Sequence, residues 1–514
     1  MKRLVSLLLM VSLILGVLAG CGGGKEYSDS GEDVTLKWVI PMGSQTDLSL
    51  VQDKVNEKLP EHLSNTKIEF ICDAAMGEKW SLWIAGKNSF DIACSGFAMD
   101  LFTEIQKKSF LSLNELVDEY APTIKKERDE LYVNLYNTGS YNGELYGIPA
   151  IQFYVDKYRC LNISNSIVKY FDTDALIKAT HGKPHITEEA YKLMDDCLVK
   201  ANKAGIHTEI YATYMWENCP AKIGYVFIGG KNSNLCYDPH AKEVKIIDWH
   251  ETEEFKTYIK WMSKWYKDGY INKDVMAGGV PKVGDGYGNL WLGANTDNVN
   301  FGDKNIYERE NDTYIKIESA DTKINASYDI GSIMTYLSIP ATAKNPVRAI
   351  KLIEALRTEK GAEILNLIAY GIEGTHYEKL NDTDIKAFDY ESQGTASSKY
   401  GIPSWMLGNM MNGMYAVYPY TQKTIEYAEN YYTEIEPNIK KHELFGFCFD
   451  LSKFIVQMTN IRNANQEYES QLGYGVASNT EQTLKNLTDN LDKAGMKTVI
   501  EDLQKQADEY ISSK

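Results

Sequence analysis

Residues 34–95 read VTLKWVIPMGSQTDLSLVQDKVNEKLPEHLSNTKIEFICDAAMGEKWSLWIAGKNSFDIACS. Val34, Leu36, Trp38 and Ile40 alternate, which predicts a strand, and Pro41-Met42-Gly43-Ser44 turns the chain after it. Leu50, Val51, Val55 and Leu59 then recur at helical spacing behind Asp47, a residue type that caps helices. Residues 67–72 predict a second strand, Trp80, Trp83 and Ile84 mark another helix, and residues 90–94 predict a third strand ending in Ser95-Gly96. Helical patterns follow at 99–108 and 113–120. The order β-α-β-α-β is that of an α/β sheet with helices on its faces.

Outward from this stretch the chain repeats the theme less regularly. Thr187 is placed to cap a helix carrying Tyr191, Met194, Leu198 and Ala201, which Gly205 closes before a strand at 206–212. Residues 235–237 and 244–247 flank Asp238-Pro239 as a hairpin, and Phe255, Tyr258, Ile259, Met262 and Trp265 form one helical stripe. Residues 333–339 predict a strand, and Asn345-Pro346 starts a helix running to Arg357, with another at 361–370. Residues 381–408 read as polar and irregular; from Phe449 onward the chain is helical with a break at 472–475.

The beginning is distinctive. Lys2 and Arg3 precede an apolar run to Val17, then Leu18-Ala19-Gly20-Cys21, a secretory signal with a small-residue cleavage site. This stretch resembles a bacterial lipobox. The resemblance implies that residues 1–20 are removed and that Cys21 is acylated, two chains on one residue giving lasting attachment. Residues 21–33, rich in glycine and serine, read as a flexible tether. No later segment has 18 consecutive apolar residues. Without Lys2 and Arg3 the chain keeps 52 basic against 71 acidic side chains, a formal charge of −19, which argues against nucleic acid and anionic lipid as partners. Roughly 480 residues exceed one compact core, so two domains are expected. Seven further cysteines without regular spacing do not read as a disulfide framework, although their number leaves room for one or two bridges outside the membrane.

Taken together, several segments resemble the family 1 extracellular solute-binding proteins, in the branch whose C-terminal region is a domain of unknown function. They are 36–45 with Val55-Asn56-Glu57-Lys58-Leu59, Phe90-Asp91-Ile92-Ala93 with 110–116, 142–149 with its G-x-x-Y-G-I-P element, 265–271 with Asp274, 343–349 with 370–377, and 445–450 with 491–504. Each is short, but their order spans nearly the whole mature chain. The resemblance implies a two-lobed α/β fold of the periplasmic-binding-protein kind (type II), with a first lobe of 34–149 and 335–404 and a second of 150–334 and 405–514. It implies crossings near 149–153, 329–339 and 394–405, a ligand held in the cleft between lobes, and delivery to an ABC permease with its ATPase. The expected ligand is an oligosaccharide, and the expected state is a monomer held at the membrane by its lipid.

Sugar rings offer flat C–H faces edged by hydroxyls, so aromatic walls and a few amides suit them. Residues just past strand ends face the crevice of an α/β sheet. That rule selects Ser44, Gln45, Ser95 and Phe97 from the first lobe, Tyr154 past the first crossing, Tyr287 and Trp291 from the Gly-rich loop 284–291, and Trp405 and Asn409 near the third crossing. Trp38, Trp261 and Trp265 sit on strand or helix stripes and are assigned to the core.

Catalytic motifs are missing: there is no G-x-S-x-G, H-E-x-x-H or G-x-x-x-x-G-K-[ST]. His181 and His185 are four apart, but Gly182 and Pro184 intervene and no third ligand is near in sequence, so neither metal nor cofactor is expected. Two rival readings remain: a surface-anchored glycoside hydrolase and a ligand-sensing co-receptor of a membrane kinase.

Overall fold

The computed structural model describes residues 27–514 except 153–158, 212–218, 229–233, 296–303, 309, 318–334, 389–398, 418–420, 436, 438–441, 445–446 and 448. Two five-stranded sheets organise it. Their strands are β1 (Val34–Ile40), β2 (Thr66–Cys72), β3 (Ile92–Ser95), β4 (Ile148–Pro149), β5 (Arg159–Ser164), β6 (His207–Tyr211), β7 (Tyr287–Asn295), β8 (Ile306–Glu308), β9 (Asp312–Lys316) and β10 (Tyr336–Ser338). The first sheet runs β2-β1-β3-β10-β4 and the second β8-β9-β5-β7-β6. β1, β2 and β3 are parallel, joined through the helices Leu48–Lys58 and Met76–Ala85, as the opening stretch predicts. β10 lies antiparallel between β3 and β4.

Each sheet has its own core. In the first lobe Trp38, Ile40, Val51 and Val55 pack with Leu337, Ile353 and Leu365. In the second, Leu161, Ile163 and Leu290 pack with Tyr191, Trp265 and the C-terminal Leu487 and Leu503. The chain leaves the first lobe between Gln152 and Arg159 and returns between Ile317 and Thr335. The last crossing does not fall at 394–405. Tyr400, Ile402, Met406, Leu407, Met410, Met414, Ala416, Ile425 and Ala428 are all buried in the first core, and the second core resumes at Leu444. The first lobe therefore keeps residues assigned above to the second. From Tyr400 to Met414 the apolar side chains follow neither helical nor strand periodicity, and only Ile425 and Ala428 lie on a regular helix, Gln422–Asn430.

Two other expectations change. Residues 284–291 are not one loop, since β7 begins at Tyr287. Gly288 lies within this strand, and a Cβ there would come 2.1 Å from Ile167 Cγ2, so close packing against a neighbouring helix requires the glycine. The tether is not free to Asp33. Asp29 accepts from Arg348 Nη2 at 2.6 Å and from Lys351 Nζ at 2.9 Å, and Tyr120 Oη donates to the Tyr27 carbonyl at 2.9 Å, docking 27–33 on the first lobe. The Arg348 hydrogen bond, with Lys351 beside it, holds the Asp29 carboxyl well below the usual carboxylate range against the effect of burial.

At the other end, the helices Ile455–Gly473, Thr480–Lys493 and Met496–Ser512 pack on the second lobe. The break expected at 472–475 is there: Gly475, at φ +71°, sits where a Cβ would lie 2.2 Å from the Met262 carbonyl oxygen. His250, fully buried, binds this region to the lobe, with Nδ1 2.8 Å from Asp248 Oδ1 and Nε2 3.7 Å from Glu469 Oε1. No helix among the described residues is long and apolar enough to cross a membrane.

Candidate functional site

The crossings fix which edge of each sheet matters. β4 ends at Pro149 just before the chain leaves the first lobe, and Tyr336, where it returns, pairs with both Pro149 and Ser95. The loops after β1 and β3 therefore emerge on the crossing side. In the second sheet β5 enters at Arg159 and β9 leaves at Lys316, so the edge near these residues faces the crossings.

Buried polar contacts support the first edge. Glu127 and Arg357 form an ion pair with almost no exposure, and Tyr136 Oη donates to Glu127 Oε2 at 2.7 Å. Arg357 Nη2 donates to the Pro149 carbonyl, tying the pair to the point where the chain departs. Beyond it, Ile151 N donates to Gly408 O at 2.9 Å and Met410 N to Ile151 O at 2.8 Å, while Tyr432 Oη donates to Gln152 O at 3.0 Å. The first crossing is thus laced to chain that approaches the last one. Ile151, Leu135, Tyr431 and Tyr432 form a small apolar cluster at this junction.

The residues selected from the sequence divide. Phe97, 53% exposed, meets the half-buried Trp405 edge-on at a centroid distance of 5.0 Å, so positions 308 residues apart form one aromatic corner on the first lobe. Trp291, 38% exposed, stacks on Tyr211 at 5.3 Å with an interplanar angle of 27°. Tyr211 was not selected from the sequence, although it ends a strand that the sequence predicts. Ser44 is exposed on the loop after β1.

Others are removed from the surface by partners the sequence does not show. Ser95 is fully buried, its hydroxyl 2.7 Å from Ser338 Oγ. Asn409 is buried, donating to Glu127 Oε1 at 2.7 Å and accepting from Met411 N at 2.9 Å, so it belongs to the buried network. Gln45 donates to Gly401 O at 2.8 Å and accepts from Gly401 N at 2.7 Å, stapling two loops with both ends of its amide. Tyr287 pairs with His207 four positions before the Trp291–Tyr211 pair, about 13 Å further along the strands and at the far edge. Tyr154 and Cys21 lie outside the described residues. His181 and His185 serve separate partners, the Lys316 carbonyl at 3.0 Å and Asp238 at 3.1 Å, and share no site.

Known proteins resemble this chain over nearly its whole length. The model of a domain of unknown function, DUF3502, matches residues 443–512, the C-terminal helices clasped by His250. A protein of Streptococcus pneumoniae named carbohydrate ABC transporter substrate-binding protein is 22% identical over 98% of this chain and 97% of its own length. Among solved structures, the N-glycan transport solute binding protein NgtS of Streptococcus pneumoniae, in complex with Man1GlcNAc, superposes with a TM-score of 0.63 at 18% identity, covering 93% of this chain and 99% of that one. A human-milk-oligosaccharide (HMO) binding solute binding protein from Bifidobacterium longum infantis reaches 0.57 at 14% identity, covering 94% and 100%. The shared fold is that of two-lobed solute-binding proteins.

Proposed function

We propose that this chain, whose fold is that of the two-lobed solute-binding proteins, is the extracytoplasmic receptor of an ABC importer and captures an oligosaccharide between its lobes without altering it. The observation that carries the reading is an aromatic pair with one exposed ring at the crossing-side edge of each lobe, Phe97–Trp405 on one and Tyr211–Trp291 on the other. Flat apolar faces on two halves with separate cores suit the C–H faces of sugar rings. Closure is favoured to the extent that ligand contacts both halves, since a ligand shifts a conformational equilibrium only by its differential affinity. The names of the similar proteins support the ligand class. In this reading Cys21 is the acylated anchor, the protein acts as a monomer at the outer face of the membrane, and a permease with its ATPase receives the cargo.

The test is thermal denaturation of the purified chain against a panel of neutral oligosaccharides, followed by recovery of the sugar. A true ligand at 100 times its Kd stabilises by about 2.7 kcal/mol and is recovered intact. No stabilisation by any glycan would overturn the sugar assignment, and a shortened glycan would favour the hydrolase.

A further inference from the structure

In β5, Leu161 and Ile163 point into the second core, so Cys160, Asn162 and Ser164 point to the opposite face. Residues paired across a ladder share a face. Tyr307 of β8 pairs with Tyr314 of β9, Tyr314 with Asn162 of β5, Asn162 with Trp291 of β7, and Trp291 with Tyr211 of β6. One line across the non-core face of the sheet therefore reads Tyr, Tyr, Asn, Trp, Tyr. None of the five carries a formal charge at neutral pH. Asn162 lies three residues after Arg159, and Tyr314 three before Ile317, so the line sits close to where both crossings meet this lobe.

Asn162 is the unusual member. Only 7% of it is exposed, and its side-chain amide makes no hydrogen bond among the described residues. The amide is not among the fully buried polar atoms left without a partner, so solvent reaches it and so can the hydroxyls of a ligand. Here it stands between rings that leave a gap in an otherwise aromatic line. An amide donates and accepts, as a sugar hydroxyl does.

We propose that this line is a rail on which a neutral oligosaccharide lies across the strands, with Asn162 reading ring hydroxyls while Trp291 and the tyrosines take the ring faces. The proposal rests on the carrier reading and deepens it, naming the ligand as a chain of several neutral sugars. Four strand steps of about 4.8 Å span about 19 Å, room for a short chain of rings.

Calorimetric titration with neutral mannosyl, fructosyl and glucosyl series of increasing length tests it on the whole protein. Affinity for the series that binds rises with each added unit and levels off once the chain outruns the rail. Asn162→Leu and Trp291→Ala each weaken the longer sugars at least tenfold, while Tyr287→Ala, on the same face at the far edge, leaves Kd within about twofold. Asn162→Ser serves if the leucine variant does not fold. Binding by the wild type with unchanged Kd in the Asn162 and Trp291 variants, or equal affinity for a single sugar and a longer chain, overturns the rail and leaves the carrier reading intact. A wild type that binds no member of any series overturns both.

Discussion

In the first lobe Arg357 is fully buried against Glu127 and reaches the Pro149 carbonyl at the start of a crossing. In the second, His250 is equally buried between Asp248 and Glu469 and fastens the C-terminal helices to their lobe. Both are internal ion pairs at a structural junction, but one cation is permanent and the other titrates. A guanidinium keeps its charge at any pH the protein meets. Burial alone would lower the His250 pKa, yet the charge and hydrogen bond of Asp248, with Glu469 beside it, carry it up to about 9. The junction at the hinge therefore rests on a cation that does not titrate, and the junction at the C-terminal region on one that does.

The largest effect expected is from breaking the permanent pair. Arg357→Met strands Glu127 in the core and frees the Pro149 carbonyl, which should cost about 3–5 kcal/mol in urea unfolding. Adding Glu127→Leu should recover much of it, and failure to recover would mean that the arginine matters mainly through Pro149. The titrating pair comes next. Because His250 binds its proton more tightly folded than unfolded, its contribution is fully present below about pH 6.5 and is lost as pH rises through 9, on the order of 3 kcal/mol in all. Stability curves at pH 6 and pH 10 should therefore converge in His250→Gln, and an unchanged difference would remove the histidine from this role. Smallest is the cap of the helix Glu188–Lys203, where Thr187 Oγ1 accepts from Ala190 N. Thr187→Ala should cost about 1 kcal/mol, at any pH.

How far the sequence reaches depends on the range of the interaction that decides each feature. Helices and strands of the first lobe rest on periodicity within ten residues, and residues 34–95 carry it plainly. Phe97 is recognisable from its place just past a strand, whereas the sequence reaches Trp291 through a loop that is in fact strand β7, and Trp405 through a crossing that lies further along the chain. Ser95, Gln45 and Asn409 are of suitable type and position, yet each is consumed by a partner at least 243 residues away in the chain, which no local pattern can register. The last crossing was missed for the same reason, since Met406, Leu407, Met410 and Met414 bury without forming a regular element. Asn162 was missed differently. The alternation Cys160-Leu161-Asn162-Ile163-Ser164 already sets it off the core face, and only the register with β7 and β9 shows what stands on either side.

The docking of Asp29 on Arg348 and Lys351 shortens the leash. If Cys21 bears the acyl chains, only Gly22 to Glu26 remain between the membrane and the first pinned residue, Tyr27. Fully stretched, that spacer covers about 20 Å. The first lobe would then ride close above the bilayer, held by the face on which Arg348 and Lys351 grip Asp29.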